Sequence, residues 1–285
     1  MVPDFTPSPT LFPFESRWFG SSAGRVHYVD EGSGRPLVVL HGNPTWAFLY
    51  RHLIAELRDD FRCVAVDYPG FGLSERPPAY RYTPPEHAAV VGELVEELGL
   101  GDAIVMGHDW GGPIGTSVAA ARPDRVAGLV LGNTWFWAPD RAFRAFSAAM
   151  SSPPLQWAIR RRNLFVERII PFGVVRELSA SEMEHYRAVQ PTPDARVGVA
   201  EFPRQIRAAA PWLDRLASEV RSRLGSKPVL ITWPMRDLAF PARRVLPRVQ
   251  AAFEDARLVR LPEARHYFQE DASGAVADAI RRRFG

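Results

Sequence analysis

The chain has 285 residues, of which 46% are hydrophobic and 24% are charged. This length and apolar content suit one large α/β domain, with or without an insertion, and exclude a disordered chain. The formal net charge is only +3 and the arginines are spread along the chain, so the sequence contains no basic module typical of nucleic-acid binding. The single cysteine, Cys63, excludes an intrachain disulfide and a zinc site built from cysteines.

Targeting and cofactor signals are missing from the sequence. No stretch reaches the roughly 18–20 uninterrupted apolar residues that span a bilayer. Residues 1–14 lack a basic start followed by an apolar run, so no signal peptide is evident. Phosphate-loop, dinucleotide-binding and metal-ligand motifs are also missing, so we expect no cofactor and no metal. We therefore expect a cytoplasmic protein that binds neither nucleic acid nor membrane, and a homo-oligomer is compatible with the sequence.

In the first half of the chain, short apolar runs alternate with helical patterns. Strands are predicted at 26–29, 37–40, 63–66, 103–106 and 128–131. Helices are predicted at 46–57, 84–98 and 111–122. Continuous apolar strands separated by helices indicate a parallel sheet that is covered on both faces.

The alternation stops after residue 134 and resumes near residue 227. The intervening segment is rich in aromatic residues, proline and arginine and contains no convincing strand. Beyond it the pattern predicts strands at 229–232 and 257–261, a helix at 243–253 and a closing helix through Phe284. We interpret the chain as an α/β core in two segments, with a helical cap inserted after about the sixth strand. The predicted boundaries are 1–134 and 213–285 for the core and 135–212 for the cap.

Residues 107–111 read Gly-His-Asp-Trp-Gly and connect an apolar strand to a helix. This is the setting of a nucleophile elbow, in which small residues flank the nucleophile at a strained strand-to-helix turn. Asp109 occupies the nucleophile position in place of the usual serine. An aspartate at a strand tip is also a common turn residue or helix cap, so the motif alone leaves both interpretations open.

Three further segments support the catalytic interpretation. Residues 41–44 read His-Gly-Asn-Pro directly after a strand, where this architecture supplies a second oxyanion-hole N–H. Asp237 and His266 each follow a later strand, about one βαβ unit apart. The order nucleophile, acid, histidine at the carboxyl ends of strands predicts a catalytic triad. We expect His108 to support the elbow and His41 to support the oxyanion loop.

At this point the sequence resembles the α/β-hydrolase fold and, within it, the haloalkane dehalogenases. The resemblance covers nearly the whole chain and is most specific at residues 41–46 (HGNPTW), 67–74 (DYPGFGLS) and 108–112 (HDWGG). It implies a mostly parallel eight-stranded sheet flanked by helices, with an inserted helical cap. It also implies that Asp109 is the nucleophile, that His266 is the base, and that Asn43 and Trp110 bind the halide.

The position of the catalytic acid separates the subfamilies. Many members carry a glutamate just after the sixth strand, but residues 132–137 of this chain read GNTWFW and contain no acid. Asp237 would then complete the triad, so the chain resembles the third subfamily. Asp140 and Glu201 are alternative acids, since Pro234 stands where relatives usually have glycine and the approach to Asp237 could differ.

The expected chemistry explains why the nucleophile is a carboxylate. Serine attacking a saturated carbon would give a stable ether, whereas aspartate gives an alkyl ester whose carbonyl water can attack. We expect Asp109 to displace halide, His266 to deprotonate water and Asp237 to orient His266. The backbone N–H groups of Asn43 and Trp110 would stabilise the oxyanion, and their side chains would bind the halide. The expected ligands are a small apolar halogenated substrate and a halide ion.

Three other functions share parts of this pattern. Epoxide hydrolases resemble the chain at Asp109, Asp237 and His266, and use cap tyrosines to protonate the epoxide; Tyr186 lies in the predicted cap. Fluoroacetate dehalogenases are also similar but characteristically have arginine where Trp110 stands. A weakly active or non-catalytic relative, comparable to coelenterazine luciferases, is the third alternative.

Overall fold

Eight strands form one sheet in the order β1-β2-β4-β3-β5-β6-β7-β8 in the computed structural model, which describes residues 3–285. The strands are β1 Arg17–Ser21, β2 Gly24–Glu31, β3 Pro36–Leu40, β4 Arg62–Val66, β5 Ala103–Asp109, β6 Val126–Thr134, β7 Val229–Pro234 and β8 Ala256–Leu261. β2 pairs antiparallel with both β1 and β4, and all the remaining pairs are parallel. The predicted mostly parallel eight-stranded sheet flanked by helices is therefore confirmed.

The helices of the first half and of the C-terminal part lie close to their predicted positions. In chain order up to β6 they are α1 Arg51–Leu57, α2 Pro84–Glu97 and α3 Gly111–Ala121, with a 3₁₀ turn Ala47–Tyr50 before α1 and another, Pro123–Arg125, before β6. The start of α2 is fixed by a capping box between Thr83 and Glu86, followed by Pro84 at the first helical position.

The segment between β6 and β7 contains only helices within residues 135–228. They are α4 Arg141–Met150, α5 Pro153–Arg162, α6 Ile170–Phe172, α7 Ala180–Ala188, α8 Val197–Ala208 and α9 Ala210–Glu219, with π-helical turns at Phe165–Ile169 and Val220–Leu224. The cap boundary predicted at residue 212 falls inside α9, which packs against α3. After β7 follow α10 Ala242–Gln250, α11 Phe268–Asp271 and α12 Ser273–Phe284.

Side chains of the parallel strands alternate between two hydrophobic layers. In β3, Val38 and Leu40 belong to one layer, while Leu37 and Val39 belong to the other. Burial on both faces explains why these strands are continuous apolar runs in the sequence. None of the helices in residues 3–285 is long and apolar enough to cross a membrane.

The sheet brings the loops that carry the predicted site residues to one edge. β3, β5, β6, β7 and β8 are parallel neighbours, so their carboxyl ends lie side by side. Asp109 ends β5 and Asn133 lies near the end of β6, while Asn43, Asp237 and His266 follow β3, β7 and β8. Ligand sites of open α/β sheets form at such an edge.

Candidate active site

Residues 107–111 form a sharp turn from β5 into α3. Asp109 has φ +51°, a left-handed conformation that an L-residue adopts only at a cost. A Cβ atom at Gly111 would lie 2.0 Å from the carbonyl oxygen of Leu40, and one at Gly107 would lie 2.5 Å from the carbonyl oxygen of Gly111. Thr134 Oγ1 donates a 2.7 Å hydrogen bond to the Asp109 carbonyl oxygen and ties the turn to β6. The two flanking glycines are therefore needed to present the Asp109 side chain.

The Asp109 carboxylate faces the loop after β3. The backbone N–H of Asn43 donates to its Oδ1 at 2.8 Å. Burial raises the pKa of Asp109 above its ordinary value, although the charge of His266 and the N–H groups of Asn43 and Trp110 act in the opposite direction. The N–H groups predicted for the oxyanion hole thus already lie at the carboxylate.

His266 and Asp237 form a buried pair at the ends of β8 and β7. Their Nδ1 and Oδ2 atoms are 3.0 Å apart, with the side chains 12% and 1% exposed. Phe240 stacks on the His266 ring at a centroid distance of 5.7 Å. Burial opposes protonation of His266, but the Asp237 carboxylate, which is also its hydrogen-bond partner, and the Asp109 charge outweigh it, so the pKa of His266 is raised.

Asn133 is a member of this site that the sequence analysis did not identify. It has φ +41°, is fully buried, and donates through Nδ2 to Asp237 Oδ2 at 2.6 Å. The other carboxylate oxygen of Asp237 accepts from the backbone N–H of Ala239 at 2.7 Å. An amide at the end of the sixth strand, in the segment where the sequence lacks an acid, therefore supports the carboxylate that follows the next strand.

The two alternative acids, Asp140 and Glu201, pair with residues other than His266. Asp140 caps α4 through the N–H groups of Ala142 and Phe143 and forms an ion pair with Arg244. Glu201 accepts a 2.7 Å hydrogen bond from Gln205. Asp237 is the carboxylate that contacts His266, and Pro234 pairs with Leu261 as the last residue of β7 without preventing that contact.

The predicted halide-binding pair lies under α8. The Asn43 side chain is buried, and its Nδ2 donates to the carbonyl oxygen of Val199 at 3.2 Å. Trp110, also buried, stacks on Phe202 with a centroid distance of 5.3 Å and meets Trp135 edge-on at 4.7 Å. The Trp110 indole and the Asn43 amide are therefore covered by the same helix.

The neighbouring histidines make structural contacts. His108 Nε2 lies 3.0 Å from the backbone oxygen of His266, and its ring is 4.7 Å from the His266 ring. His41 Nδ1 lies 3.0 Å from the Gly42 oxygen, and Tyr68 donates to the His41 backbone oxygen. Burial lowers the pKa of His41 to about 4 and that of His108 well below its ordinary value, so neither ring carries a charge at neutral pH.

Tyr186, the cap tyrosine considered for epoxide chemistry, is engaged in a buried network. Its hydroxyl donates to Glu270 at 2.6 Å, and Glu270 also accepts from Arg51 at 2.6 and 2.8 Å. Glu182, Glu270 and His52 form the one group of metal-ligand side chains within the described part of the chain. Arg51 and Arg176 already neutralise both carboxylates, so this group is an ion-pair network and not a cation site.

Comparison with known proteins identifies the family. The model of the α/β-hydrolase fold family matches residues 35–273. "Haloalkane dehalogenase 2" of Mycobacterium tuberculosis (strain ATCC 25618 / H37Rv) is 60% identical over 283 residues, covering 99% of each chain. A "cis-3-alkyl-4-alkyloxetan-2-one decarboxylase" of Xanthomonas campestris pv. campestris is 32% identical over 274 residues, or 90% of this chain and 91% of the relative.

A solved structure agrees at the level of the fold. The crystal structure of a haloalkane dehalogenase from Bradyrhizobium elkani superposes with a TM-score of 0.85 at 24% identity, covering 94% of this chain and 95% of the other. The family model, the full-length identity and the superposition all agree with the resemblance inferred from the motifs. The chain belongs to the α/β-hydrolase fold family and, within it, to the haloalkane dehalogenases.

Proposed function

We propose that this protein hydrolyses carbon–halogen bonds of halogenated alkanes, giving an alcohol, a halide ion and a proton. One observation carries the proposal: a carboxylate, Asp109, stands at the nucleophile elbow opposite a buried His266–Asp237 pair. The name of the 60% identical mycobacterial relative supports the same reaction class. We also propose that residues 135–212 act as a cap over this site.

In the first step, an oxygen of the Asp109 carboxylate attacks the carbon that bears the halogen. The carbon–oxygen bond forms as the carbon–halogen bond breaks, and the electron pair leaves with the halide. The Asn43 amide and the Trp110 indole N–H supply donors for this ion, because a buried halide without partners would be very costly. Hydrogen bonds to a charged group contribute roughly 1.5–3 kcal/mol each, enough to influence how readily halide departs.

In the second step, water attacks the carbonyl carbon of the alkyl ester while His266 accepts its proton. Asp237 stabilises the resulting imidazolium through Nδ1. The backbone N–H groups of Asn43 and Trp110 hold the oxyanion, since that of Asn43 already donates to Asp109 Oδ1. The tetrahedral intermediate then collapses: its bond to the alkoxide oxygen breaks, and the alkoxide takes the proton from His266 and leaves as the alcohol. The Asp109 carboxyl releases its remaining proton and is restored as a carboxylate.

The first test measures bromide release from 1-bromobutane and 1,2-dibromoethane by the purified protein. We expect bromide release by the parent protein and none by Asp109→Asn, because a neutral amide cannot displace the halide. The panel also contains an epoxide and a cis-3,4-dialkyl-oxetan-2-one, since one relative is named for such a lactone. Diol formation without bromide release would select epoxide hydrolysis, and turnover of the lactone alone would select the decarboxylase chemistry.

The second test traps the ester. His266→Phe is expected to accumulate an alkyl adduct on Asp109, because the first step needs no base whereas the second does. Intact-mass and peptide analysis after exposure to 1-bromobutane would locate it. His52→Phe, at a half-exposed histidine outside the triad, serves as the control and should turn over without an adduct. Absence of any adduct in His266→Phe, with a substrate that the parent converts, would contradict the two-step mechanism.

Epoxide hydrolysis is the less favoured alternative. The Tyr186 hydroxyl donates to Glu270 within a buried ion network, so it is not free to protonate an epoxide oxygen. Asn43 stands where epoxide hydrolases commonly have an aromatic residue. Both points favour a halogenated alkane over an epoxide as the substrate.

A further inference from the structure

His108 joins β5 to the loop that carries His266. It precedes Asp109 at the end of β5 and is fully buried. Its ring packs against three consecutive residues, with centroid distances of 4.7 Å to His266, 5.9 Å to Tyr267 and 5.6 Å to Phe268. The first two end the loop after β8, and the third begins α11. One side chain of β5 therefore restrains the position of this loop.

A glycine of β6 makes the contact possible. β6 and β7 stand between β5 and β8 in the sheet, so the loop after β8 must cross them to reach His108. Gly132 is the β6 residue that pairs with His108. A Cβ atom at Gly132 would lie 2.5 Å from Cζ of Phe268 and 3.0 Å from the carbonyl oxygen of Thr232. Because glycine leaves this space free, Phe268 packs on β6 and brings His266 within reach of His108.

The His108 ring donates a hydrogen bond to the backbone of His266. Its Nε2 lies 3.0 Å from the His266 carbonyl oxygen, which can only accept, so the proton is on Nε2. Nδ1 is buried and has no hydrogen-bond partner among residues 3–285. Burial and then the charge of His266 lower the pKa of His108 well below its ordinary value, which keeps the ring neutral. Asn133 Nδ2 also faces the His266 oxygen, but at 3.5 Å that contact is weak.

The position of the His266 backbone matters for the second step of the proposed reaction. Asp237 holds the imidazole at Nδ1, but a ring held at one atom can still move with its backbone. His108 holds the backbone carbonyl of the same residue and is the direct neighbour of Asp109 in the chain. A single residue thus links the proposed base to the residue that would carry the ester. The first step needs no base and does not depend on this link.

We propose that His108 is a positioning residue for ester hydrolysis: its Nε2–H, donated to the His266 carbonyl oxygen, fixes the distance between the base and the ester on Asp109. This assignment rests on the proposed function. Loss of the N–H lets the His266 loop shift, so water attacks the ester more slowly while halide displacement is unaffected. A residue that only supported the elbow would slow both steps, because it would act on Asp109 itself.

The test compares two substitutions of similar size, His108→Gln and His108→Met. The glutamine amide can place an N–H where Nε2 stands, whereas methionine has no donor. Rapid-quench measurements with 1-bromobutane separate bromide release in a single turnover from decay of the ester. We expect His108→Met to slow ester decay about fivefold, since a neutral hydrogen bond contributes about 1 kcal/mol, and His108→Gln to stay within about twofold of the parent. Bromide release should change less than about twofold in both variants.

His185→Met is the matched control. His185 is also buried, and its Nδ1 lies 2.7 Å from a backbone oxygen, that of Ser181, but it belongs to α7. Its replacement should leave both steps unchanged. A double-mutant cycle with His266→Phe is the second control. The base is absent in that background, so His108→Met should change the slow residual decay of the ester less than about twofold.

The tautomer of His108 is checked without substrate. Nitrogen-15 NMR of the imidazole rings should show a neutral His108 with its proton on Nε2, unchanged between about pH 5 and about pH 9. The signal is assigned by its loss in His108→Gln. A proton on Nδ1 would remove the hydrogen bond and overturn the proposal.

The outcomes separate the two proposals. A parent protein that releases no bromide and forms no ester contradicts the proposed function and, with it, the role of His108 in hydrolysis. If the parent forms and hydrolyses the ester, and His108→Met does so at the parent rate, only the role of His108 is wrong. Equal slowing by glutamine and methionine would also overturn it, because packing of the ring and not its N–H would then hold the loop. Equal slowing of both steps, or of ester decay with and without His266, would have the same consequence.

Discussion

Asn133 illustrates how a residue outside the predicted triad controls it. Its amide donates to the Asp237 oxygen that also faces His266, so it restrains the carboxylate in its contact with the imidazole. The residue is buried and has φ +41°, a conformation that asparagine and glycine tolerate better than other residues. Glycine can therefore replace it without changing the backbone, which isolates the contribution of the amide.

Asn133→Gly is expected to lower the rate of ester hydrolysis about tenfold or more, because a hydrogen bond to a charged group contributes roughly 1.5–3 kcal/mol. Bromide release in a single turnover should be little affected, since the first step does not require His266. Rapid-quench measurement of both steps checks this expectation. Asn163→Gly is the control, because Asn163 also has a positive φ, +49°, but ends α5. Equal loss of rate in both variants would show that the effect is one of stability.

The raised pKa of His266 predicts where the rate of ester hydrolysis falls at acidic pH. In the proposed mechanism His266 accepts a proton in the second step and must be neutral to do so. Asp109 is uncharged once the ester has formed, so Asp237 is the group that raises the pKa of His266 against burial in this step, and ester hydrolysis should fall as the pH drops through that pKa. Asp237→Asn removes the largest raising influence, so this acid limb should move to lower pH in the residual activity. Ester decay is measured as a function of pH by quenching and mass analysis. If the acid limb did not move in Asp237→Asn, its assignment to His266 would be wrong.

These residue-scale features differ in how well the sequence predicts them. Asp109 is predictable because the glycines around it are required by close backbone contacts and therefore leave a spaced motif. Asn133 leaves no such motif, since an asparagine after a strand is common in turns. The contact between Asn43 and Val199 joins residues 156 positions apart, so it depends on how α8 packs and not on local sequence.

Among whole elements, the sequence predicts every strand except β1. β1 reads Arg-Trp-Phe-Gly-Ser and has a single buried residue, Phe19, because it is an edge strand. It has neither a continuous apolar run nor a regular alternation, so only the family resemblance indicated an eighth strand. The lack of strands in the segment 135–212 predicts an insertion, but the sequence does not predict its individual helices.

The buried ion network joins three elements that lie far apart in sequence. Arg51 of α1 contacts Glu182 of α7 and Glu270 of α11, while Arg176 contacts the same two carboxylates. α11 begins two residues after His266, so the network also anchors the loop that carries His266. Four long charged side chains converge here because each carboxylate must be paired when it is removed from water.

Glu270→Gln should destabilise the protein by about 3–5 kcal/mol, because it leaves Arg51 buried with an incomplete partner. Denaturant unfolding followed by circular dichroism gives the change in free energy. Asp60→Asn is the control: it removes the partner of Arg281 in an exposed ion pair and should have a much smaller effect. A similar decrease in the free energy of unfolding in the two variants would mean that burial does not strengthen the ion network.

At the scale of the whole molecule, the network makes stability depend on pH. Hydrogen bonds and charges from Arg51 and Arg176 lower the pKa of Glu270 and Glu182 in the folded state, although burial acts against them. A carboxylate whose folded pKa is depressed stabilises the protein above its unfolded pKa of about 4.3, and this contribution is lost as the pH falls towards the folded pKa. Acid unfolding should therefore begin below about pH 4.3 in part through these two groups.

This argument predicts a pH-dependent difference between the parent protein and Glu270→Gln. At pH 7 the parent should have the clearly higher Tm, because Glu270 is ionised and paired. Below about pH 4.3 the difference should shrink, since the parent gradually loses a contribution that glutamine never had. Scanning calorimetry of both proteins from pH 7 to about pH 3 would measure the trend. Asp60→Asn should show no comparable convergence, because its ion pair with Arg281 is exposed. A Tm difference that stays constant or widens at acidic pH would show that Glu270 stabilises the fold by its shape and not by its charge.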